Sequence, residues 1–142
     1  NIISIQIALE ALSYIILVEK EGLLDDEQFD QNNASKNIKL VLNACNIPHG
    51  SDELELFDDW IRGKFDDGVD LVIYFRNKIV HPVRKDNRAN LTVEDMWNII
   101  QIGTKYIELI VLSFIGYKGE YSNRLKERWF GEVEVVPWNK LD

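Results

Sequence analysis

Cysteine is almost missing from this chain. Cys45 is the only one, so no disulfide can form within the chain and no multi-cysteine metal site exists. A reducing cytoplasm fits that usage, and we expect a cytoplasmic protein. Histidine is scarce as well, with only His49 and His81. Cys45 and His49 have a spacing that can put two ligands on one metal, but no second pair joins them and Pro48 breaks the helix between them, so neither a metal nor another cofactor is expected. Repeats and low-complexity blocks are absent. The chain lacks a starting Met, beginning at Asn1, and it lacks a charged leader before a small-residue cleavage site; we expect a domain excised from a longer polypeptide.

Uninterrupted membrane-length apolar runs are missing too. Ile2–Val18 and Tyr106–Tyr117 come nearest, but Gln6 and Glu10 break the first, and Lys105 and Glu108 bound or break the second. A carboxylate near mid-bilayer costs roughly 2.5–3.5 kcal/mol, so both are expected to be core helices and no membrane partner is expected. Positive charge is in deficit, with a net charge of −8. That excludes indiscriminate binding to nucleic acid, whose affinity comes mostly from neutralised phosphates.

What is present is an ordinary globular composition, 46% hydrophobic and 28% charged over 142 residues, enough for one domain with a real core. We expect a single unit over 1–142, with a core of about 2–116 and a tail of 117–142. The basic charge is concentrated. Between Arg76 and Arg88 stand Arg76, Lys78, Arg84, Lys85 and Arg88 against Asp86 alone, a local balance of +4 that leaves −12 for everything else.

Patterning predicts an all-α fold of four to five helices. Ile2–Lys20 is apolar on almost every face and should be buried on most sides, with Glu21-Gly22 as its stop. Leu23–Ala34 reads as a loop or short irregular helix. Ser35 is expected to cap a second helix, to about Asn46. Ser51, with Asp52 and Glu53, starts a third over LELFDDWIRGK, its acidic residues at the favourable end of the dipole. A fourth runs from about Asp67 to Val80 with Val69, Leu71, Val72, Ile73, Phe75, Ile79 and Val80 toward the core, and Pro82 stops it at His81. Thr92 with Glu94 and Asp95 opens a long fifth helix ending near Gly116. Two long apolar helices in so small a chain leave a stripe that we expect a second copy to cover. In the tail, the Glu/Val alternation of GEVEVVPW reads as an extended segment.

The chemistry concentrates in FRNKIVHP, Phe75 to Pro82. On a helix Asn77 and His81 share a face one turn apart, while Arg76 lies about 140° around from the histidine. One copy does not easily aim both at one atom; two copies meeting at these helix ends can each supply both to a shared cleft. The residue types suit metal-free cleavage of RNA, in which the substrate's 2′-hydroxyl attacks the adjacent phosphorus. Histidine moves protons near neutral pH, arginine balances charge on phosphoryl oxygens through two hydrogen bonds, and asparagine orients one of them. The basic side chains Lys78, Arg84, Lys85 and Arg88 can grip RNA phosphates, or the loop among them can be a solvated turn.

YFRNKIVHP resembles the Arg-Asn-x-x-x-His signature of the HEPN superfamily (higher eukaryotes and prokaryotes nucleotide-binding domains). LEALSYIILVE and the long final helix are similar to its helical bundle, most of all to the ApeA-type and related bacterial branches. The resemblance covers about Ile2–Gly116. It implies a HEPN-like bundle and a metal-independent endoribonuclease whose composite site, Arg76, Asn77 and His81, is completed by homodimerisation. It also implies an effector in a toxin–antitoxin, abortive-infection or other anti-phage system, with an antitoxin or a further domain of the same protein as regulator. Val83 stands where some toxin branches carry a modified tyrosine.

Plainer readings stand beside these. Arg76, Asn77 and His81 can simply end a helix, and the module can be a non-catalytic one for dimerisation or nucleotide sensing. Glu10 can support the site by orienting Arg76, or be a satisfied structural carboxylate. Trp60, Trp97, Trp129 and Trp138 can stack bases, but at helical spacing they read first as core. The acidic run Asp52–Asp70 reads as a solvated face, or as a surface for a basic partner.

Overall fold

The computed structural model describes residues 1–81, 91–126 and 131–139, and it is mainly helical, in keeping with the all-α expectation, with six α-helices among the described residues where four to five were expected. Helix α1 (Ile2–Tyr14) opens on Asn1, whose side chain accepts from the Ile3 N–H, and continues into a π-helical turn over Ile15–Lys20. Gly22, at φ +59°, then takes the left-handed conformation that ends the helix. Helix α2 (Asp26–Gln31) carries a reciprocal cap between Asp25 and Gln28. Helix α3 (Ala34–Ala44) is capped by Asn33 rather than by Ser35. The serine hydroxyl instead donates to Asp70 Oδ1 at 2.7 Å.

The third predicted helix is divided. Ser51–Leu56 forms a 3-10 turn, Phe57 is extended and buried, and only Asp59–Arg62 is α-helical (α4). Helix α5 (Gly68–Val80) starts from Asp67, whose side chain accepts from the Asp70 N–H, and stops at His81 as Pro82 requires. Helix α6 (Val93–Phe114) begins with a Thr92–Asp95 capping box and is followed by Gly116 in the left-handed region. Its 22 residues span about 33 Å at 1.5 Å per residue. The tail supplies a short antiparallel pair, β1 (Glu120–Tyr121) with β2 (Glu134–Val135), so the extended reading of GEVEVVPW holds for those residues.

Helix α1 packs on α6, α3 and α5, and α5 packs on α6 and α3. One core cluster joins Leu9, Leu17, Ile38, Leu42, Leu71, Ile102 and Leu109. Ile2–Lys20 has the length and mean hydropathy, 1.8, of a membrane span. Its Ile2, Ile5, Leu9, Ile16 and Leu17 nevertheless face the bundle core. Burial on most sides does not hold, because Ile7 is 62% exposed and Ile15 is exposed beside it on the outer face. At the α1–α6 crossing, a Cβ on Gly103 would stand 2.5 Å from Ile5 Cγ2. Gly103→Ala is therefore expected to cost about 1–3 kcal/mol, read as a lower urea midpoint with an unchanged slope.

Candidate functional site

The Arg76–His81 stretch occupies the last turn of α5. Phe75 anchors that turn in the core, while Arg76 is half-buried and Asn77 and His81 are exposed. Arg76 Nη1 donates to Asn77 Oδ1 at 3.0 Å, so the asparagine holds the guanidinium. The His81 N–H donates to the Asn77 carbonyl at 2.8 Å and closes the helix. The three residues are thus brought to one helix end, and the imidazole is left facing outward. Ile79 and Val80, predicted for the core, are 48% and 37% exposed. The described chain covers each of them only in part.

Lys78 belongs to the same turn, its ammonium 5.7 Å from the centre of the Tyr74 ring. Lys64 Nζ approaches the same ring at 4.4 Å, adding a cation that no sequence motif pointed to. Glu10 is half-buried on α1 and accepts from Gln6 at 2.6 Å, its neighbour one turn earlier. Arg84, Lys85 and Arg88 lie outside the described residues, as does Trp129. Of the other tryptophans, Trp60 and Trp138 pack against the core, whereas Trp97 is 61% exposed. Arg76, Asn77 and His81 line neither of the two described cavities. In one copy the motif is an open helix end.

The acidic run is not a uniformly solvated face. Glu53 is buried, accepting from Lys105 Nζ at 2.8 Å and, through its other oxygen, from the Tyr106 hydroxyl. Burial first, and then the Glu53 charge, push the Tyr106 phenol well above its ordinary value, so it stays protonated as a donor. Gly68 is needed here, since a Cβ on it would stand 2.5 Å from the Tyr106 hydroxyl oxygen. Beside this group, Lys39 Nζ bridges Asp67 at 3.1 Å and Asp70 at 2.8 Å. His49 places Nε2 2.9 Å from Asn43 Oδ1 and Nδ1 3.4 Å from Asp67 Oδ2, the second contact lacking hydrogen-bond alignment. Cys45 is buried, and burial raises its thiol pKa.

Burial tends to raise the Asp70 pKa, but the hydrogen bonds from Lys39 and Ser35 outweigh it and the net shift is downward. A carboxylate lowered on folding stabilises the fold above its unfolded pKa of about 3.9. That contribution is lost as the pH falls through the lower folded value. Asp70→Asn is therefore expected to narrow the stability gap between pH 7 and the acid limb. Urea titrations of both forms across that range measure it.

Fold and site together define a helical-bundle protein with a basic, outward-facing motif at one helix end. The chain belongs to the YopA C-terminal domain family, whose model matches residues 1–135. It is 34% identical over 144 residues to the SPbeta prophage-derived uncharacterized protein YopA of Bacillus subtilis (strain 168), a match covering 100% of this chain and 32% of that protein. The chain therefore spans about a third of that relative's length. No solved structure matches it.

Proposed function

We propose that the chain is a HEPN-like endoribonuclease module that cleaves RNA through the substrate's own 2′-hydroxyl, with a composite site formed where two copies meet at the ends of α5. The observation that carries this is the last turn of α5: a guanidinium held by Asn77, an exposed imidazole one turn on, and exposed Ile79 and Val80 between them. Exposed apolar side chains flanking polar catalytic types suit a symmetric contact that would enclose an otherwise open site. In the reaction His81 moves the proton, Arg76 neutralises charge on the phosphoryl oxygens, and Asn77 positions Arg76. Lys64 and Lys78 supply positive charge for the RNA backbone on a chain that is otherwise acidic.

A relative described as prophage-derived fits an effector in the contest between phage and host. The longer length of that relative leaves room for a regulatory domain in the same protein, and a cognate antitoxin is the other candidate partner. Such a module works in the cytoplasm, where its RNA is.

Attack by the 2′-hydroxyl leaves a 2′,3′-cyclic phosphate and a 5′-hydroxyl. The test is to map product ends on an RNA oligonucleotide and on the same oligonucleotide with one 2′-deoxy substitution at the cut. Cyclic phosphate ends and full resistance of the deoxy substrate are expected. Cutting of the deoxy substrate, or 5′-phosphate products, would overturn the reading.

A further inference from the structure

A cavity of about 990 Å³ lies between the 3-10 turn Ser51–Leu56, α6 and the β1–β2 hairpin, away from the Arg76 motif. Its lining contains the buried pair Glu53 and Lys105, 7% and 8% exposed. The two members of that pair are not equally used. Both Glu53 oxygens are taken, one by Lys105 and one by the Tyr106 hydroxyl. An ammonium carries three donors, and among the described residues one of Lys105's is engaged, with Glu53. The cavity thus offers spare cationic donors from a desolvated position, where a charged hydrogen bond is stronger than at the surface.

The rest of the lining has the opposite sign. Asp52, Glu55 and Glu134 join Glu53 against Lys105 and Lys126; Lys105 is paired with Glu53 and Lys126 with Glu134, so the net charge of −2 sits on Asp52 and Glu55. A simple anion suits Lys105 but meets that negative surplus. A simple cation suits the surplus but leaves the remaining Lys105 donors unused. A molecule with a carboxylate at one end and positive charge at the other matches both. Leu56, Leu109 and Val135 in the same lining can pack a hydrocarbon stem between the two ends.

The geometry points to this cavity as a binding site for a basic amino acid, its carboxylate on Lys105 and its cationic side chain toward Asp52 and Glu55. The site is independent of the Arg76 motif, and its failure would leave the ribonuclease reading untouched.

The experiment is calorimetric titration of the full chain with L-arginine, L-lysine, agmatine, which is arginine without its carboxylate, and L-norleucine, which lacks the cationic side-chain end. L-arginine or L-lysine is expected to bind at least about tenfold more tightly than agmatine and norleucine, in keeping with one charged hydrogen bond each. Lys105→Met should bring arginine down to the agmatine level. That variant leaves Glu53 buried without its cation and is expected to fold less stably, so Val135→Trp serves as the second variant. It places a ring in the cavity from a strand position that is already exposed and should abolish binding. No binding of either basic amino acid, agmatine binding as tightly as arginine, or unchanged binding in Val135→Trp would overturn the proposal.

Discussion

His81→Ala is expected to lower RNA cleavage by about 10²–10⁴-fold, the usual contribution of a positioned proton-transfer group, while leaving stability within about 0.5 kcal/mol. The two halves of that expectation have one cause. His81 is exposed, and its structural contribution is a backbone hydrogen bond to the Asn77 carbonyl that alanine also makes. A pure helix-capping role would therefore show no loss of cleavage, and a hidden packing role would show a fall in melting temperature. Arg76→Ala should cost about 10²–10³-fold, as for loss of one preorganised charge stabiliser. Asn77→Ala should lose less, since it acts through the guanidinium that it holds.

The second large effect lies in the core. Glu53→Ala leaves Lys105 buried without its partner and the Tyr106 hydroxyl without its acceptor. Removing one member of a buried pair costs about 3–5 kcal/mol, which for a chain of this size lowers the melting temperature by about 10–20 °C. The double replacement Glu53→Leu with Lys105→Met removes both charges together and is expected to recover much of that loss. If the single and double variants melt together, the pair is not what fixes the 3-10 turn Ser51–Leu56 to α6.

Local signals in the sequence located most helix ends. Gly22, Asp67, the Thr92–Asp95 box and the stop at His81 each rest on signals within a few residues, and the structure has each helix end there. The departures have equally physical origins. Ser35 has the local chemistry of a cap for α3, but its hydroxyl is drawn to Asp70, 35 residues away, and Asn33 caps instead. The helix over LELFDDWIRGK is cut at Phe57, which is extended and buried against the core, a tertiary contact that the local pattern does not announce. Glu53 looks, in sequence, like one more solvated acid. Its partners Lys105 and Tyr106 lie 52 and 53 residues on, and no local pattern announces such a pairing.

For the site, the sequence showed which residues share the last turn of α5, and the structure adds how they are arranged. The Arg76–Asn77 hydrogen bond depends on side-chain geometry that spacing alone does not determine. Exposure of Ile79 and Val80 is set by tertiary packing, which helical spacing alone does not determine. Lys64 joins the basic surface through the Phe65–Tyr74 packing, across the break before α5.

The most direct measurement is cleavage of a mixed RNA pool in the presence of a metal chelator by the wild type, Arg76→Ala and His81→Ala at matched protein concentration. Cleavage by the wild type that persists in chelator and is lost in both variants is the predicted result. Equal cleavage by wild type and His81→Ala, or intact RNA in all three at near-stoichiometric protein, would contradict the assignment of the α5 terminus as a ribonuclease site.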